Sequence, residues 1–171
     1  MSDVALFVVD PAESAVLVEA RSNVGPISFA SVRVDGRAEL ELDDVDIDAA
    51  AVLCAEMHIP ISSLESGNSL YDAELSSRLE HRRYPIITVQ MRAARALGGG
   101  EFSAEADVTI HGTTRRLAGT LSVTMPDENT LVALGRHVVD IRDFAITLPA
   151  MLMLKIYPDV SVQFRVTATR V

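Results

Sequence analysis

The side chains with the most capacity for chemistry are four histidines, His58, His81, His111 and His137, one cysteine, Cys54, and several arginines set close to carboxylates. Paired imidazoles or a Cys-x-x-Cys would hold a metal, and a histidine beside serine and aspartate would activate a nucleophile. Neither pattern is present: no histidine pair has metal-ligand spacing and Cys54 has no partner. A nucleophile elbow, a phosphate loop and a dinucleotide fingerprint are also missing. The residues therefore carry no catalytic, metal or cofactor signature, and the expected role is non-catalytic.

Two of the histidines sit in informative places. His111 belongs to His111-Gly112-Thr113-Thr114, a turn between two strand patterns, where a structural role is expected. His137 shares parity with Val139 and Ile141 and is expected to face inward. The expected reading is a core histidine with its hydrogen bonds satisfied; contact with a polar headgroup is the alternative.

The elements that would position these groups are strands. Val160, Val162, Phe164, Val166 and Ala168 alternate with polar residues, as do Phe102, Ala104, Ala106, Val108 and Ile110. Leu117, Gly119, Leu121 and Val123 repeat the pattern, as do Val32, Val34, Ala38, Leu40 and Leu42, and Ile87, Val89 and Met91. A period of two is the mark of a strand with one buried face. Residues 4–9, 15–20, 51–61 and 131–141 are less regular but strand-rich. Residues 66–83 place Leu70, Leu75 and Leu79 near helical spacing, predicting one helix or two short ones, and another short helix is predicted near residues 26–30. So little helix cannot cover a sheet, so the apolar faces must pack on each other as a barrel or sandwich. No linker or repeat divides the chain, and residues 1–171 are read as a single domain.

Composition narrows the partners. The chain has 171 residues, 49% apolar and 23% charged, enough for a core without staples. A formal net charge of -9 repels phosphate backbones, so no nucleic-acid partner is expected. No apolar run reaches the length of a membrane span, and stable membrane insertion is not expected. No basic n-region precedes the short apolar stretch at residues 4–9, and Asp10-Pro11 ends it, so no signal peptide is read and the cytoplasm is the expected compartment. Residues 145–154, Ala-Ile-Thr-Leu-Pro-Ala-Met-Leu-Met-Leu, lack the polarity of an ordinary connection. Methionine suits variable apolar partners, so this run reads as core filler or a homodimer interface, with a ligand lid as the alternative.

Three motifs carry a resemblance. Ser63-Leu64-Glu65-Ser66-Gly67-Asn68, Tyr71-Asp72-Ala73-Glu74-Leu75 and Tyr84-Pro85-Ile86-Ile87 form the first; residues 106–115, with Thr109-Ile110-His111-Gly112 at their centre, form the second; Asp140-Ile141-Arg142-Asp143-Phe144-Ala145-Ile146 is the third. In order and spacing these resemble the signature of the YceI-like family. Tyr71 stands where that family usually has arginine, Glu74 where it has histidine, and Ala145 where it commonly has glycine. The resemblance implies an all-β, extended lipocalin-like antiparallel β-barrel of about eight strands with one helical insertion after the strand ending near Ile61. It also implies binding of an apolar isoprenoid-like small molecule, a polyisoprenoid or isoprenoid quinone, in the barrel interior. Within the motifs, Arg142 with Asp143, Asp72 and Arg115 is expected to form structural pairs or anchor the helix, with recognition of a diphosphate as the alternative.

On that reading the inward faces nominate Leu53, Met57, Val89, Met91, Phe102 and Val108 as ligand contacts, together with Leu121, His137, Phe144 and Phe164, and Met151 and Met153 from the apolar run. Ala38, Ala55, Ala93, Ala104, Ala106 and Ala168 are the small inward residues that would leave room for a guest. Hollow and fully packed barrels both satisfy the alternation. Two other functions fit the residues: an interaction module using residues 145–157, and an enzyme on a small apolar substrate, for which His137 and Glu56 are the polar candidates.

Overall fold

The computed structural model describes residues 3–42, 51–147, 150–151 and 154–171. Its strands are β1 (Asp3–Val9), β2 (Ala15–Ser22), β3 (Gly25–Ser31), β4 (Asp35–Leu42), β5 (Ala51–Pro60), β6 (Ile86–Gly98), β7 (Glu101–Ile110), β8 (Thr113–Asp127), β9 (Thr130–Asp140), β10 (Ala150–Met151) and β11 (Leu154–Arg170). One α-helix, α1 (Ser69–Arg78), lies between β5 and β6. Every pairing is antiparallel, in the order β1-β4-β5-β6-β7-β8-β9-β11-β2-β3, and β1 also pairs with β11. That last pairing closes an eight-stranded barrel, with β2 and β3 as two further strands.

Closure depends on a break in the first strand. β1 and β2 run in succession along the same edge of β11, β1 opposite Ala168 to Arg170 and β2 opposite residues 156–165. Between them Pro11–Glu13 form a 3₁₀ turn, capped by the Asp10 carboxylate accepting from Ala12 N at 3.0 Å. Pro11 fits the first position of such a turn because its missing N–H would be unsatisfied there anyway. Ser14, buried at 4%, stitches the break to β11: its Oγ accepts from Thr167 N at 3.0 Å. The two halves can thus take different directions while both keep β11 as a neighbour.

Several expected elements shift. Residues 26–30 are strand, not helix: Ile27 and Phe29 are buried while their neighbours are exposed, and all five pair with β2. The helix is shorter than the 66–83 span. Asn68 caps it, its side-chain oxygen accepting from Leu70 N and Tyr71 N, and the Asp72 carboxylate accepts from both Ser66 N and Ser66 Oγ. Leu70 is 73% exposed, so Tyr71, Leu75 and Leu79, four apart, make the inward face instead.

Two bulges reset strand parity. The β6–β7 register slips between Met91 and Ala93, which turns Ala93 outward and brings Ala94 and Ala96 inward. The β4–β5 register slips at Glu39–Leu40, and Val52 comes to the inner wall. An extra residue on one strand of a ladder flips every side chain beyond it, which alternation counted from a single starting point cannot follow.

Candidate functional site

The interior is not uniformly filled. At one end Ala5, Phe7, Leu40, Leu42, Phe102, Val123, Leu131 and Ala168 pack into a buried cluster. At the other, Ile27, Phe29 and Leu64 pack with Tyr71 and Leu75 of α1, which stops that mouth. Between them lies a cavity of about 470 Å³, within the roughly 300–1,000 Å³ usual for small-molecule sites. Its wall is aliphatic and aromatic carbon, with Ala38, Ala55, Ala94, Ala104, Ala106, Ala133 and Gly119 among the small residues that leave the space. A hydrocarbon chain placed there would trade water for apolar contacts on all sides, at about 0.8 kcal/mol per methylene.

Met57, Val89, Met91, Phe102, Val108, Leu121, His137 and Phe164 all line this cavity. Phe144 does not. It is fully buried, but the 3₁₀ turn Ile141–Phe144 carries it away from the barrel lumen, and Ala145, at φ 57°, turns the chain back. The side chains of Leu53, Met151 and Met153 lie outside the described residues; Val52 lines the wall beside that position. Of the apolar run, Ile146 and Thr147 border the cavity, and the side chains of residues 150–154 lie outside the described residues.

Phe164 and His137 each lie against a glycine. A Cβ on Gly135 would sit 2.4 Å from Phe164 Cζ, so the ring spans the wall across its ladder partner. A Cβ on Gly119 would sit 3.2 Å from His137 Nδ1. Both glycines fall on the inward parity of their strands, the one sequence signal that marks them.

The wall is open beside His137. The β8–β9 ladder stops at Leu121–Gly135, although β8 runs back to Thr113 and β9 on to Asp140. Over that stretch β8 pairs with β7 and β9 pairs with β11. Ala118, Gly119 and Thr120 are exposed to solvent and also border the cavity. The far end of this slot is closed by the turn Ile141–Phe144, held to β8 by Arg115 Nε donating to the Asp143 carbonyl at 2.7 Å.

The charged motif residues make contacts within the fold. Arg142 pairs with Asp140, with Nη2 to Oδ2 at 2.7 Å, and Asp140 also accepts from Arg142 N at 2.9 Å. The side-chain bond from Arg142, helped by its backbone amide, holds the Asp140 carboxyl below the ordinary carboxylate range, and Asp140 raises Arg142 in turn. His111 Nδ1 donates to the Phe144 carbonyl at 3.4 Å, its Nε2 meets the Glu80 carboxylate, and the Tyr84 ring stands edge-on to it. The turn needs Gly112 at φ 69°, and a Cβ there would strike Tyr84 Cε1 at 2.6 Å, so the close approach of ring and backbone excludes any larger residue. This one contact set ties the end of the helical insertion, the β7–β8 hairpin and the 3₁₀ turn together, which accounts for three motifs far apart in sequence.

A YceI-like domain model matches residues 7–168. The chain belongs to the YceI-like family. No curated protein matches it. Among solved structures, BcnA of Burkholderia cenocepacia is similar at 19% identity and a TM-score of 0.77, covering 94% of this chain and 99% of that one. A polyisoprenoid binding domain of Saccharophagus degradans, implicated in plant cell wall breakdown, is similar at 15% identity and a TM-score of 0.77, covering 96% and 98%. The Campylobacter jejuni YceI protein follows at 16% identity and a TM-score of 0.62, covering 77% and 79%. At these identities the likeness establishes the fold. This YceI-like barrel has, among its described residues, no helix long and apolar enough to cross a membrane and no group of three or more acidic, histidine or cysteine side chains placed to hold a metal.

Proposed function

We propose that this YceI-like protein binds or carries a lipid-like apolar molecule, a polyisoprenoid or isoprenoid quinone, inside the barrel. The observation that carries this reading is the apolar cavity between two packed ends, walled by alanines, glycine and flexible methionines where a filled barrel would have larger side chains. Each five-carbon isoprene unit buried there would contribute about 4 kcal/mol before ordering and association costs. The solved polyisoprenoid binding domain of the same fold supports the ligand class.

The reading is non-catalytic. Its catalytic rival needs polar groups converging on a reacting atom. Glu56 is instead engaged by His58, whose Nε2 lies 2.9 Å from its carboxylate.

Native mass spectrometry of protein purified without detergent, followed by organic extraction, tests the proposal. A hydrocarbon-rich adduct released by solvent is expected. Bare protein that also takes up no added prenyl chain would refute it.

A further inference from the structure

His137 stands apart from every other histidine. His58 is bonded at both ring nitrogens, to Asp35 and Glu56; His81 Nδ1 meets the Ser76 carbonyl at 3.3 Å; His111 is held by Phe144 and Glu80. Among the described residues His137 has no hydrogen-bond partner at either nitrogen, though it is half-buried and faces an otherwise apolar cavity. Neither ring nitrogen is sealed off, so both stay open to a partner that enters the cavity or the slot.

Its position says what that partner is. The ring lies against Gly119 at the β8–β9 slot, where cavity and solvent meet. A ligand with its tail in the lumen can bring its polar end to this opening without burying an unsatisfied group. The charges nearby argue against an anion. Three arginines border the cavity: Arg78 is bonded to Glu74 at 2.6 Å, Arg136 donates to Ser161 Oγ at 3.1 Å, and Arg37 lies across the β4–β5 ladder from Glu56. Glu56 and Glu74 themselves border the space, and the chain carries a formal charge of -9.

We propose that His137 at the β8–β9 slot is a specificity-determining residue, hydrogen-bonding an uncharged oxygen, a hydroxyl or carbonyl, at the polar end of an otherwise apolar ligand. An imidazole can both donate and accept, so it serves either group. This rests on the carrier reading and adds where the polar end lies and that it is uncharged.

Three probes with the same C15 tail test it: farnesol, farnesyl diphosphate and the hydrocarbon farnesene, titrated against the wild type, His137→Leu and His137→Gln. Farnesol is expected to bind the wild type about fivefold more tightly than farnesene. In His137→Leu the farnesol-over-farnesene ratio falls to about one; His137→Gln, which keeps a donor and an acceptor, recovers part of it. In the folded wild type, farnesol but not farnesene should shift the imidazole resonances of His137, a readout that needs no variant. Diphosphate binding tightest, or His137→Leu retaining the full preference for farnesol, would overturn the inference and leave the carrier reading standing. If none of the three probes enters the wild-type barrel, both fall.

Discussion

The two halves of the barrel interior are built from the same alternating strands and do opposite things. Toward the β1 end, the inward positions hold Phe7, Leu40, Leu42, Phe102 and Leu131, and the space is filled. In the middle, the inward positions of the same β7 and β9 hold Ala104, Ala106 and Ala133, and the space is left open. The strand pattern that specifies a wall is indifferent to what stands behind it; side-chain volume alone separates core from cavity. Stability should therefore be concentrated at the packed end, and ligand capacity at the hollow middle.

Substitutions can separate those two properties. Phe7, fully buried in the packed cluster, should give the largest loss: Phe7→Ala is expected to cost about 3–5 kcal/mol in urea unfolding, without enlarging the ligand site. Ala106→Phe in the hollow middle should do the reverse. It fills the lumen, is expected to weaken farnesol binding at least about tenfold in a titration, and should change stability by no more than about 1–2 kcal/mol because there is space to accept the ring. Equal stability losses at both positions would mean that the middle is packed as tightly as the end.

Smaller effects should come from the turn that closes the slot. Ala145 has φ 57°, a left-handed conformation that glycine adopts without strain. Ala145→Gly is expected to raise the urea midpoint, by about 0.5–1 kcal/mol in stability. Asp140→Asn should lower stability at neutral pH by weakening the bonds to Arg142. Because the folded Asp140 carboxyl is depressed, its contribution is fully present above the unfolded value of about 3.9 and is lost as pH falls from there through the folded value. The gap between wild type and Asp140→Asn should therefore narrow as acid unfolding is followed below about pH 4.

Much of this division was legible in the residues. Ala104 to Ile110 of β7, Leu117 to Val123 of β8 and Val160 to Ala168 of β11 follow their alternation, and eight of the twelve nominated contacts border the cavity. The misses have local causes. Ala93 faces outward because a bulge at Met91–Ala93 reverses parity, and β3 hides its strand character behind Gly25-Pro26 and a short run. Phe144 is apolar and buried, as its motif suggests, but a 3₁₀ turn aims it elsewhere. His137 lies on the inward face that parity gives it, without the partner expected of a core histidine; the opening beside it depends on where the β8–β9 ladder ends, and both strand sequences run on past that point. Hollow and filled barrels also share one alternation, so the cavity emerged only with closure.

The most direct test of a packed end beside a hollow middle is a crystal structure of the protein purified without detergent and supplied with farnesol. The expected result is continuous elongated density along the Ala104–Ala106 wall, with its polar end beside His137 at the slot. Side chains meeting across Ala106 with no room between them would contradict it.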